Sequence, residues 1–150
     1  IRTEIWELKG FDVIILGAIG QIFGDLQTTL KTVTQSLNKQ GYILLDDGYI
    51  EDNSQADYDR CLRQSDFYNQ ITLAGFEIIR EIIFEKEAIV DSDMLIYDSI
   101  MKRVNELIIM HPEKNELFEG YLKSQEYENY MLAAEIIGGT WLLRAINPPE

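Results

Sequence analysis

Residues 10–48, GFDVIILGAIGQIFGDLQTTLKTVTQSLNKQGYILLDDG, constrain the fold more than any other stretch. Val13, Ile14, Ile15 and Leu16 form an unbroken apolar run after Phe11 and Asp12. A strand with one wet face alternates apolar and polar side chains. A continuous run predicts cover on both faces, as inside a parallel sheet. Gly17, Gly20 and Gly24 then interrupt the regularity, and Asp25 stands where a helix N-cap belongs. Leu26, Leu30, Val33 and Leu37 are spaced as one face of a helix. The spacing predicts that the helix closes over 38–41. Tyr42, Ile43, Leu44 and Leu45 follow as a second apolar strand, with a turn at Asp46, Asp47 and Gly48. A strand–helix–strand unit of this kind predicts two parallel strands joined by a right-handed crossover.

The order of these features resembles the second half of a class I S-adenosylmethionine-dependent methyltransferase. The fourth strand of that family typically opens with Phe-Asp and an apolar run, as Phe11 and Asp12 do here. Its next helix ends in a Leu-x-Lys-x-Gly type of turn, which reads Leu37-Asn38-Lys39-Gln40-Gly41. The step Gly17-Ala18-Ile19 after the strand is seen in some branches. Ala74-Gly75-Phe76 matches the entry to the sixth strand, and residues 140–146 resemble the last strand, which commonly carries an aromatic–aliphatic–Arg pattern before proline. The resemblance implies an α/β fold: the C-terminal half of a Rossmann-like methyltransferase sheet, parallel strands plus an antiparallel last strand. Residues 1–150 would then be the C-terminal portion of one domain.

After Gly48, Ser54 is placed to cap a helix through about Gln64, turning Tyr58, Cys61 and Leu62 inward. Asp66 is placed to cap another, with Phe67, Ile71 and Ala74 buried and Gly75 as its C′ residue. Residues 76–84 are β-rich. Over 91–110, Leu95, Ile96, Ser99, Ile100, Arg103, Val104, Leu107 and Ile108 mark the buried stripe of a long helix that begins with an acidic cap. His111-Pro112 breaks it, and a second helix is expected to about Ile137. Their short connection predicts an antiparallel hairpin. In the resembled family the last two strands are joined by a modest loop, so residues 91–137 read as a helical hairpin inserted before the last strand.

A formal net charge of -13, with 13 Lys and Arg scattered along the chain, argues against nucleic acid and anionic membranes as partners. No apolar run approaches a membrane span, and the N-terminus lacks the pattern of a signal peptide. The single cysteine, Cys61, allows no internal disulfide and fits a cytoplasmic location.

The resemblance implies S-adenosylmethionine as cofactor, held at its methionine end by Gly17, Ala18 and Ile19, with Ile1 and Arg2 flanking the nucleobase. Gln21 and Phe23 on the loop, with Asp47 and Tyr49 at the end of the second strand, are the implied contacts of a small-molecule acceptor. The glycine-rich turn and the ribose-holding acid of such a fold are not in this sequence, so the cofactor would require an N-terminal half. A chain lacking that half is expected to bind the cofactor weakly and to leave its first strand as an open edge. No catalytic residue is required, because methyl transfer from a sulfonium can proceed by orientation alone. The acidic set Asp46, Asp47, Glu51 and Asp52 reads as a solvated loop ahead of a metal site or a base. His111 reads as a helix C-terminal residue, Cys61 as a small core residue, and Tyr121, Tyr127 and Tyr130 as helix packing. A different reading is a non-catalytic domain that forms a homodimer through its sheet edge or its hairpin.

Overall fold

The computed structural model describes residues 5–146, the side chains at 88, 91 and 92 excepted. After a short turn at Ile5–Glu7 come β1 (Phe11–Gly17), α1 (Leu26–Thr34), β2 (Leu37–Ile50), the two-residue β3 (Leu62–Arg63), α2 (Gln64–Leu73) and β4 (Phe76–Ile83). Two long helices follow, α3 (Lys86–Met110) and α4 (Asn115–Ala134), and the chain returns in β5 (Ile136–Ala145). It divides into a sheet unit, Ile1–Ile83 with Ile137–Glu150, and a helical unit, Phe84–Ile136.

In the sheet the order is β1-β2-β5-β4, with β3 beside β2. β1 and β2 are parallel and β4 and β5 antiparallel, as expected of this mixed α/β sheet. The parallel register pairs Ile14 with Ile43 and Leu16 with Leu45 on the inner face. Helices α1 and α2 cover that face with Leu30, Val33, Phe67 and Ile71. Asp25 caps α1 as predicted: its carboxylate accepts from Thr28 N at 2.8 Å. Gly75, at φ +87°, is the C′ residue of α2, a conformation that disfavours any side chain. At the heart of the unit Trp141 is fully buried, its ring centroid 4.7 Å from that of Phe67. The Trp141 indole N–H and the Tyr68 hydroxyl both donate to Glu81 Oε2, at 3.0 and 2.9 Å.

Several expectations change. The apolar run of β1 is covered on one face only. Leu16 is 5% exposed, whereas Val13 and Ile15 are 52% and 68% exposed, and β1 is the terminal strand of the described sheet. Leu37 is not on the α1 face. The helix stops at Thr34, and Leu37 starts β2 opposite Phe11. The next pairing is Val13 with Tyr42, so residues 38–41 form an excursion within the strand. Gly41 closes it: a Cβ there would lie 2.9 Å from Leu37 Cδ2 and 3.0 Å from the Phe11 carbonyl oxygen. Leu37 satisfies helical spacing by coincidence, because strand β2 resumes on the same buried side.

Asp46, Asp47 and Gly48 do not turn the chain; β2 runs on to Ile50. The helix expected over 54–64 is absent. The Arg63 guanidinium instead donates to the carbonyls of Glu51, Ser54 and Ala56, folding that segment into a loop. Asp66 lies within the first turn of α2 and not at its cap. The amino end of α2 is held by Asp52, whose Oδ1 accepts from Ser65 N at 3.1 Å and Ser65 Oγ at 3.0 Å.

In the helical unit α3 begins at Lys86, so residues 91–93 lie within it and not at its cap. Val104 is buried on the predicted stripe, but Leu95 and Ile96 are exposed. α4 ends at Ala134, and Tyr97 Oη donates to Glu126 Oε1 at 2.8 Å between the two helices. Among the described residues no helix is long and apolar enough to cross a membrane.

Candidate functional site

Ligands of open α/β sheets bind beyond the carboxyl ends of the strands. Here that edge carries a cleft with about 70 Å³ of interior space. One wall is the loop after β1, including Ile19, Gly20 and Gln21, and the start of α1. The opposite wall is Asp47 and Gly48 on β2, with Cys61 beside them and Phe67 of α2 beneath.

Of the implied cofactor residues, Gly17 ends β1, and its backbone is open: a Cβ there would meet nothing within 4 Å. The same holds for Gly20, whose φ is +60°. Ala18 also takes a left-handed φ, 45°, and donates its N–H to the Asp46 carbonyl at 2.8 Å, which ties the loop to the end of β2. A non-glycine residue in this region is strained, and the strain sits at the cleft's rim. Ile19 is half-buried and lines the cleft. Ile1 and Arg2 lie outside the described residues.

Of the implied acceptor residues, Gln21 and Asp47 line the cleft. Phe23 packs against the hydrophobic core of the unit. Tyr49 is turned inward: 6% exposed, it packs with Phe67, Tyr68 and Trp141, and its hydroxyl accepts from Gln64 Nε2 at 3.4 Å. The structure assigns that ring to packing and leaves Asp47, with Asp25 of the α1 cap, as the acids lining the cleft.

Burial holds the Asp47 carboxyl above the usual carboxylate range, and Asp46 adds to the effect. Against them stands the Gly48 N–H, which donates to Asp47 Oδ1 at 2.8 Å. Burial, and then the Asp47 charge, pushes the Cys61 thiol up to about 11. Cys61 Sγ therefore stays protonated near neutrality and donates to the Gly48 carbonyl at 3.4 Å. It sits in a turn before β3, not on a helix stripe.

Thr29 was not singled out by its sequence pattern. It is 3% exposed, lines the cleft, and its Oγ1 is buried without a hydrogen-bond partner. Thr32 and Thr34 in the same helix donate back to the carbonyls of Thr28 and Leu30, at 2.8 and 2.6 Å. Leaving a hydroxyl unsatisfied costs about 1–3 kcal/mol. A threonine among the apolar residues of an amphipathic stripe was the available signal.

The acidic set divides. Asp47 faces the cleft, while Asp52 holds α2. Among the described residues no group of three or more His, Cys, Asp or Glu side chains is arranged to hold a metal ion. His111 is the C-cap of α3, its Nδ1 3.5 Å from Glu113 Oε1, within the helical unit.

No protein-family model matches the sequence, and no curated protein matches it. Solved structures do match in three dimensions. A methyltransferase from Thiobacillus denitrificans, crystallised with S-adenosyl-L-homocysteine, superposes with a TM-score of 0.70 at 16% identity, covering 95% of this chain and 62% of that one. The cyclopropane synthase MmaA2 from Mycobacterium tuberculosis gives 0.70 at 15% identity, over 92% and 57%. The [4+2]-cyclase SpnF gives 0.68 at 11% identity, over 91% and 50%. The fold is that of the class I S-adenosylmethionine-dependent methyltransferases. The chain spans about three-fifths of the length of the first two of these structures.

Proposed function

We propose that this chain forms the C-terminal portion of an S-adenosylmethionine-dependent methyltransferase acting on a small-molecule acceptor. The observation that carries this reading is the cleft at the carboxyl ends of β1 and β2, on a fold shared with a methyltransferase that binds S-adenosyl-L-homocysteine. Bound S-adenosylmethionine would supply the methyl group. The open backbone at Gly17 and Gly20 admits a ligand without displacing a side chain, and Ile19 offers it an apolar contact. Gln21 and Asp47 would orient the acceptor, and Phe67 would exclude water from the floor. Orientation and exclusion of water are enough for an in-line displacement.

The exposed residues Phe11, Val13 and Ile15 favour continuation of the sheet by further chain, with helices over that face. The same exposure supports the second reading, an interaction domain that dimerises there. SpnF carries a cyclase activity on this fold, so cofactor binding and methyl transfer need separate tests. Calorimetry with S-adenosylhomocysteine, on this chain and on the chain joined to the segment encoded upstream, tests the first. Tight binding only by the joined protein is expected. Tight binding by this chain alone removes the partial-site reading, and none by the joined protein removes the methyltransferase reading. Transfer of labelled methyl groups to a panel of small acceptors tests the second. A dimer with no cofactor affinity in the joined protein supports the interaction domain.

A further inference from the structure

The cleft changes character with depth. Its rim carries groups of both signs: Gln21, Asp25 and Arg60 are exposed, and Asp47 is half-buried. A charged ligand finds a partner there whichever sign it bears, so the rim selects neither. The inner lining is different. Leu16, Leu45 and Phe67 are 5%, 2% and 1% exposed, and Thr29 is 3% exposed. Thr29 Oγ1 is the one polar side-chain atom among those four residues, and it has no hydrogen-bond partner in the protein. Thr32 and Thr34 of the same helix donate to the carbonyls four residues back. Thr29 makes no such bond and lines the cleft instead.

A charge carried onto that inner lining loses most of its hydration and meets one neutral hydroxyl in return. A hydroxyl loses far less. It both donates and accepts, so it pairs with Thr29 in either orientation of the Thr29 O–H. The same bond satisfies Thr29 Oγ1, which an apolar group leaves orphaned. The interior, about 70 Å³, holds on the order of five water-sized groups, so the occupant is short.

We propose that the buried end of this cleft is a subsite for a neutral hydroxyl group, docked on Thr29 Oγ1 between Leu16, Leu45 and Phe67, and that the methyl acceptor is a small molecule whose hydroxyl end binds there. The assignment of that molecule as acceptor rests on the methyltransferase reading; the docking of a hydroxyl does not. Charged parts of the same molecule stay at the rim, where Asp47 and Arg60 offer partners of either sign.

The probe is 2-propanol, titrated into the isotopically labelled 150-residue chain and followed by amide chemical shifts. Isopropylammonium chloride has the same shape with a positive charge, and sodium acetate supplies a small anion. The expected result is saturable movement of the Thr29, Gly48 and Cys61 amides with 2-propanol, at a dissociation constant on the order of 10 mM, and binding of either ion weaker by about tenfold or more. Thr29→Val, of similar shape but without the hydroxyl, weakens the 2-propanol affinity by roughly fivefold, and Thr29→Ser, which keeps the hydroxyl, holds it within about twofold. Both variants keep the fold, checked by the dispersion of the remaining amides. Unchanged affinity in Thr29→Val assigns the response to the apolar walls and overturns the subsite. Binding of isopropylammonium or acetate as tight as that of 2-propanol overturns it too. Binding of 2-propanol with no S-adenosylhomocysteine binding by the joined protein keeps the subsite and overturns its role as an acceptor site. Cofactor binding with no response to 2-propanol keeps the methyltransferase reading and overturns the subsite.

Discussion

The sheet unit and the helical unit bury their chain differently. In the sheet unit Trp141, Phe67, Phe76, Leu30, Ile43 and Leu143 are almost fully enclosed, and the one indole N–H at the centre has a carboxylate partner. The long helices α3 and α4 enclose little by comparison: Val104 and Met131 are buried, while Met94, Leu95, Ile96, Ile109, Leu117 and Tyr130 are exposed. The contrast predicts that the number of faces covered, more than length or apolar content, sets how stable each unit is. A sheet with helices on one side already gives its central residues neighbours all round. Within its own unit, each helix of a two-helix hairpin has one neighbour.

The sharpest way to break that contrast is Trp141→Ala. It removes the largest enclosed side chain and leaves Glu81 without its indole donor. A loss of about 3–5 kcal/mol is expected in urea unfolding followed by far-ultraviolet dichroism. A loss below about 1 kcal/mol shows that the core rearranges and that the sheet unit is less tightly built than argued.

Met131→Ala does the same to α4. About 2 kcal/mol is expected, near the low end for a buried methionine, because the open hairpin can close part of the gap. Hydrogen exchange distinguishes this variant from the first. Amides of α3 and α4 should lose protection, while those of β2 and β5 keep theirs. Equal loss in both units means that they unfold as one cooperative body.

Legibility in the sequence follows the same division. The strand at β1, the Asp25 cap and the Phe67 and Ile71 face of α2 were readable as local patterns, but the cover expected on both faces of β1 was not found. The inward turn of Tyr49 was not, because its aromatic neighbours Phe67, Tyr68 and Trp141 come from two other elements. The loop that replaced the expected helix at 54–64 depends on Arg63 reaching three carbonyls, a long-range choice that no spacing records. The cleft had the same difficulty. Gln21 was nameable from its place after β1 and Asp47 from its place near the carboxyl end of β2, but Thr29 and Cys61 join them only through the fold.

Within the sheet unit the comparison continues between its packed body and the cleft. Asp25→Ala, at the edge of the cleft, is expected to cost about 1 kcal/mol through loss of the α1 cap. Hydrogen bonding to Thr28 holds the Asp25 carboxyl below its usual range. Its stabilisation is therefore complete above the unfolded-state value and is lost as pH falls through the folded-state value. The difference between variant and parent should shrink in acid, and a difference independent of pH rules out the charged cap.

Asp47→Asn should give the smallest change, and with the opposite sign. Burial raises the Asp47 carboxyl above its unfolded-state value, with Asp46 adding to the shift. Between the two values the folded protein binds more protons than the unfolded chain, so stability falls as pH rises through that window. At neutral pH the parent bears the cost of an ionised acid in an apolar wall, and the asparagine does not. Its side-chain oxygen can still accept from the Gly48 N–H. The variant should thus be the more stable of the two at pH 7 and lose that advantage in acid, read from urea midpoints across the range. A group retained at a site where it weakens the fold is what a binding role predicts. An Asp47→Asn variant less stable than the parent at neutral pH makes Asp47 a structural residue, and places the cleft among the packed parts of the sheet unit.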